Sequence, residues 1–141
     1  MSLVIISFEC VWLESKIKKS VGSNLYGTVI MKTQSKKSKG RRLQKWVREQ
    51  LIEKLNIHKE DIESRSMGAG GEDLIMARAA RKKFPYSIEC KNQEKLNIWE
   101  AYNQACDNAG HYEPIVVIKR NNQKPLVLID AEYFMVLHNG H

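Results

Sequence analysis

The apolar residues of this chain change period along its length, and that change does most to restrict the fold. From Leu43 they fall at Leu43, Trp46, Val47, Leu51 and Leu55 with good helix formers between them, which predicts a helix over 41–55. The period then shortens. Ile62–Ser66 reads as a short strand, Met67-Gly68-Ala69-Gly70-Gly71 as a glycine-rich turn, and Asp73–Ala77 as a buried strand. A basic connector, Arg78–Lys83, leads through Pro85 to the strand Tyr86–Lys91. Its alternation sets Ser87, Glu89 and Lys91 on one face and Ile88 and Cys90 on the other. Residues 96–109 return to helical spacing, with Ile98, Trp99, Tyr102, Cys106 and Ala109 on one side and Gly110 in the stop position. On this reading Trp46, Trp99 and Tyr102 are core residues and not base-stacking platforms. Ile115–Lys119 and Leu126–Ile129 bracket a hairpin turn, 130–137 close as a short helix or strand, and 138–141 form a free end. The order is helix, three strands, helix, two strands. It predicts one α/β domain over 43–137, a mixed central sheet flanked by helices.

Charge divides the chain differently. The 23 Lys and Arg against 16 Asp and Glu give a net +7. Residues 1–42 hold nine of the basic groups and only Glu9 and Glu14, so the whole excess sits there and the rest is neutral. Lys32–Arg42 contains no apolar residue and reads as a flexible basic arm, the tail of an N-terminal extension over 1–42. A cationic front on a neutral body calls for a polyanion, and each phosphate neutralised adds salt-sensitive affinity. Arg78, Arg81, Lys82 and Lys83 can extend the track. Residues 1–30 read as a leader or an extra strand, with Met31 as a candidate initiator. The apolar run Leu3–Leu13 is too short to span a bilayer, and no apolar face accompanies 32–42, so no membrane role is expected. Cys10, Cys90 and Cys106 form no CxxC pair, which points to a reducing, cytoplasmic setting without a disulfide scaffold or zinc site.

The chemistry concentrates in Asp73 and Glu89-Cys90-Lys91. Alternation sends the Glu89 carboxylate and the Lys91 ammonium out of one sheet face, and Asp73, after the glycine turn, can reach the same spot. Two carboxylates beside a lysine meet the needs of a magnesium-dependent phosphodiesterase: hard oxygen ligands for the ion and an ammonium for developing charge. Glu49 on the first helix, with Glu53 one turn later, offers a third carboxylate. The glycine turn lacks a following GK[ST], which excludes a P-loop.

Taken in order, Lys39-Gly40, Glu49, Arg65-Ser66, Asp73, Ile88-Glu89-Cys90-Lys91 and Val116-Val117-Ile118-Lys119 resemble the PD-(D/E)XK nuclease superfamily. Within it the similarity is to archaeal-type Holliday junction resolvases and small phage endonucleases. The resemblance covers about residues 39–120 and implies a restriction-endonuclease-like core. It implies that Asp73, Glu89 and the Cys90 carbonyl ligate Mg2+ or Mn2+, that Lys91 is catalytic, and that Glu49 completes the site. Gln104 is a candidate supporting residue, and Lys36, Lys37, Lys39, Arg41, Arg42, Arg65 and Ser66 are candidates for DNA contact. Glu72 stands where many members carry Pro and is expected to point away from the site. The implied function is a structure-selective DNA endonuclease of DNA recombination, a homodimer on branched DNA, or a phage enzyme in the host cytoplasm. The alternatives are a less selective nuclease on duplex, flap or single-stranded DNA, and a non-catalytic nucleic-acid-binding module.

Overall fold

The computed structural model describes residues 36–66 and 68–139. The expectations for residues 1–30 and Met31 lie outside the described residues, as do those for 32–35. The described elements belong to one compact unit. They run α1 (Lys36–Leu55), β1 (Ile62–Ser64), β2 (Leu74–Met76), α2 (Arg78–Lys83), β3 (Tyr86–Asn92), α3 (Ile98–Ala109), β4 (Glu113–Lys119), β5 (Leu126–Leu128) and α4 (Ala131–Leu137).

Strands β1 and β2 form an antiparallel pair, while β3, β4 and β5 form a second sheet in that order. Strand β3 runs parallel to β4, with Glu89 opposite Val116, and α3 supplies the crossover that a parallel pair requires. The hairpin to β5 is antiparallel, so this sheet is mixed. The Asp73 amide donates to the Ile88 carbonyl at 2.9 Å and joins the two sheets where β2 begins. An α/β architecture with a mixed sheet and flanking helices is what the period changes predict.

Two layers of core explain why β3 is buried on both faces. On one side Leu43, Val47 and Leu51 of α1 pack over Ile88, Cys90, Ile115 and Val117. On the other, Ala101 and Ala105 of α3 pack on Val116. Ser87 and Glu89 therefore lie beneath a helix as well, with Glu89 only 5% exposed.

Several expectations are corrected. Helix α1 includes Lys36–Arg42, so residues 36–42 are no flexible arm and the domain does not begin at 43. The reason is tertiary. Asn92 Nδ2 donates to the Lys39 carbonyl, Lys39 Nζ to Asn121 Oδ1 at 3.1 Å, and Gly40 is buried as the first member of the stripe Gly40, Leu43, Gln44, Val47, Leu51. Trp46 falls off that stripe and is 42% exposed. In α3 the buried ridge is Ala101, Ala105 and Ala109, which leaves Ile98 and Cys106 exposed and Trp99 at 78%. Three alanines one turn apart let the helix approach the sheet closely, and that contact outweighs burial of the larger residues. The connector Arg78–Lys83 is helical, and 130–137 resolve as helix α4, capped by the Asp130 side chain. His138 caps α4 instead of fraying, its ring nitrogen 2.9 Å from the Phe134 carbonyl.

Candidate active site

Three elements build the site. Strand β3 carries Glu89 and Lys91, the turn into β2 carries Asp73, and the first turns of α1 lie beside them. Together they line a groove of about 460 Å3 whose walls include Lys36, Gln44, Gly70 and Gln104. Asp73 is locked by the sheet junction: its own amide is bonded to Ile88, and its Oδ2 accepts the Cys90 amide at 2.6 Å. In an extended strand the carbonyl of a residue leaves by the same edge as its amide, so the Cys90 carbonyl also faces the Asp73 edge. The Gln44 side chain donates a further hydrogen bond to Asp73.

On the neighbouring face Lys91 Nζ sits 2.7 Å from Glu89 Oε1 and donates to Gln104 Oε1 at 2.8 Å. The ammonium is thus held between β3 and α3 by one carboxylate and one amide. Asp73 carries the electrostatic signature of crowding. Burial first, and the Glu89 carboxylate second, push its pKa from 3.8 up to about 6, against the opposing Cys90 amide, Lys91 and Gln44. Burial also pushes the Cys90 thiol well up, so this cysteine is packing material with an inert sulfur.

The structure therefore brings Asp73, Glu89, Cys90, Lys91 and Gln104 together, with Ser66, Lys36 and Lys37 on the same groove. It does not bring Glu49. Five positions after Gln44, Glu49 is turned about 140° round the helix. There it pairs with Lys45 at 3.8 Å, both side chains more than half exposed. Glu53 pairs with Lys54 in solvent. The α1 residue that bonds to Asp73 is Gln44, only 2% exposed, which the sequence reading missed. Its signal was present: a glutamine inside an apolar arc, between Leu43 and Val47.

Among the proposed DNA contacts, Arg41 and Arg42 are exposed on α1, while Lys39 is bonded to Asn121. Arg65 is committed to structure, its Nε donating to the Glu72 carbonyl at 2.8 Å and its guanidinium packed against Gly71. The positive φ of 99° at Gly71 makes that turn suited to glycine. Arg81 is also removed from any basic track. It is 7% exposed, pairs with Glu72, donates to the Tyr86 carbonyl and stacks 4.0 Å over the Tyr112 ring. Glu72 contributes to that buried pair and is absent from the groove lining.

Among the described residues no cluster of three or more His, Cys, Asp or Glu side chains is placed to hold a metal. Two carboxylates and a strand carbonyl are nonetheless a donor set suited to Mg2+, which usually takes one or two protein carboxylates and keeps several waters. The raised pKa of Asp73 fits such an ion, because a cation would offset the repulsion that Glu89 imposes. No family model, curated protein or solved structure matches this chain. Among the described residues no helix is long and apolar enough to cross a membrane.

Proposed function

We propose that this protein is a divalent-metal-dependent DNA endonuclease that hydrolyses phosphodiester bonds, selective for branched DNA and acting as a homodimer. The observation that carries the reading is the convergence of Asp73, Glu89 and Lys91 in one polar groove beside the basic start of α1. Like-charged carboxylates gathered under partial burial are costly to a fold, and a cation-dependent reaction gives them a purpose. The order of elements, with a helix crossing over between parallel β3 and β4 and the acidic pair at the β2–β3 junction, supports the superfamily reading.

Asp73, Glu89 and the Cys90 carbonyl would hold the ion. When bound, it would polarise the scissile phosphate and lower the pKa of attacking water. The chain's own residues do the rest. Cys90 N–H and Gln44 fix the Asp73 carboxylate, which leaves one oxygen free of the backbone bond. Glu89 and Gln104 hold the Lys91 ammonium at the groove, where it stabilises charge on the phosphate oxygens. Lys36 and Lys37 of α1 line the same groove. Their ammonium groups favour a phosphate there.

The test is cleavage of four-way junction, flap, nicked and linear DNA by wild type, Asp73→Asn and Glu89→Gln. Wild type is expected to cut branched DNA with Mg2+ or Mn2+, while both variants bind it and do not cut. Full Mg2+-dependent activity in both variants would refute the site. Equal cutting of linear duplex would refute the selectivity, and failure to cut any DNA would favour a non-catalytic binding module. A homodimer predicts a sedimentation mass of twice the chain.

A further inference from the structure

A second hollow, of about 610 Å3, lies between the loop after β3 and the β4–β5 hairpin. Its floor is apolar, built from Leu96, Ile98, Ile118 and Leu126. Two of these are open to solvent to a degree that packing does not explain, Ile98 at 41% and Leu126 at 62%. Its rim is cationic, with Lys119, Arg120 and Lys124 against the single acid Glu94.

The hollow is braced rather than loose. The Gln93 amide donates to the Lys119 carbonyl at 3.0 Å, the Asn121 amide to Glu94 Oε1 at 2.7 Å, and Lys119 Nζ to the Gln123 carbonyl at 2.5 Å. Glu94 is thereby used to hold the hairpin, which leaves Arg120 and Lys124 as exposed cations. The hollow also neighbours the candidate active site. Gln93 lines both cavities, two residues beyond Lys91 on the same strand and loop.

An apolar floor with a cationic rim, next to the groove proposed to cleave phosphodiesters, suits a nucleotide: a planar base below and phosphates at the edge. Its volume lies within the range of small-ligand pockets. We propose that this hollow takes the base of one unpaired nucleotide in the DNA strand that passes through the Asp73–Glu89 groove, with Arg120 and Lys124 on the flanking phosphates. Ile98, Leu126 and Ile118 then act as an aliphatic bed for a base removed from its stack. Extruding a base costs least where pairing is already broken, so the pocket favours a cut beside a branch point. The inference rests on the nuclease reading and adds to it a site that tells branched from paired DNA.

The experiment is an abasic scan. Labelled flap and junction oligonucleotides, each lacking one base at a successive position along the cut strand, are titrated by anisotropy with full-length protein in Ca2+, and cut in parallel with Mg2+. Burying a base against aliphatic side chains is worth roughly 5- to 30-fold in affinity. A loss of that size is expected at one or two adjacent positions next to the cut and nowhere else. In Leu126→Ser and Ile98→Ser, both changes at exposed positions, intact DNA should bind as weakly as the abasic form and the scan should lose its step. Arg120→Ala should instead weaken every oligonucleotide alike and lower the salt slope by about 1. A flat scan with normal cleavage, or a step that survives in both serine variants, overturns the pocket and leaves the nuclease intact. Neither binding nor cutting of any DNA overturns both.

Discussion

Replacing Asp73 by Asn should stabilise the metal-free protein above pH 6 and leave it unchanged below pH 4. Asn keeps an oxygen to accept the Cys90 amide and removes the charge that burial and Glu89 disfavour. The native pKa of about 6 exceeds the unfolded value of 3.8, so between these pH values the folded state holds the proton more tightly. Stability conferred by the protonated acid is present below about pH 4 and falls as pH rises through about 6, where the full ionisation penalty is in place. At 1.36 kcal/mol per pH unit the difference approaches 3 kcal/mol, or about 2 kcal/mol once the partial exposure of Asp73 is discounted.

Urea unfolding of both proteins from pH 3.5 to 8, in chelator, measures this difference directly. The expected curve is flat and near zero at low pH, rises across the window, and then plateaus with the Asp73→Asn protein the more stable. In thermal melts the plateau corresponds to about 10 °C. A difference independent of pH, or a destabilised variant above pH 6, would refute the crowded-carboxylate account. Millimolar Mg2+ supplies the converse: it should stabilise wild type by mass action and leave Asp73→Asn nearly unmoved.

Other consequences are direct. Glu49→Ala should retain full cleavage, whereas Gln44→Leu, which removes the hydrogen bond to Asp73, should lower it at least tenfold; single-turnover assays separate them. Arg81→Met should cost about 3–5 kcal/mol, because Glu72 would be left charged and buried, and adding Glu72→Leu should restore much of it, as denaturation of the three proteins would show. Ala105→Leu should destabilise by about 1–3 kcal/mol by wedging α3 off Val116, while Trp99→Ala on the outer face should change stability by under about 1 kcal/mol.

The sequence carried the site better than the surfaces around it, and the physical reason is the same in each case. Strand alternation is a local property with a period of two, so Glu89 and Lys91 had to share a face, and the glycine turn before Asp73 had to bring it back to the same edge. Apolar size alone would bury Trp46 before Gly40 and Trp99 before Ala101. Close packing ranks them the other way. A buried glycine and an alanine ridge seat α1 and α3 against β3, where Gln44 reaches Asp73 and Gln104 reaches Lys91. Glu49 drew attention as a carboxylate on the right helix, yet its angle round that helix was fixed by the register of Leu43, Val47 and Leu51, which point the opposite way. The charge run Lys36–Arg42 misled for a related reason: composition without apolar residues argued against structure, while backbone and amide contacts at Lys39 with Asn92 and Asn121 supply what side-chain hydrophobicity did not. Small and polar residues thus set where the helices sit, and the helices set which polar groups meet the carboxylates.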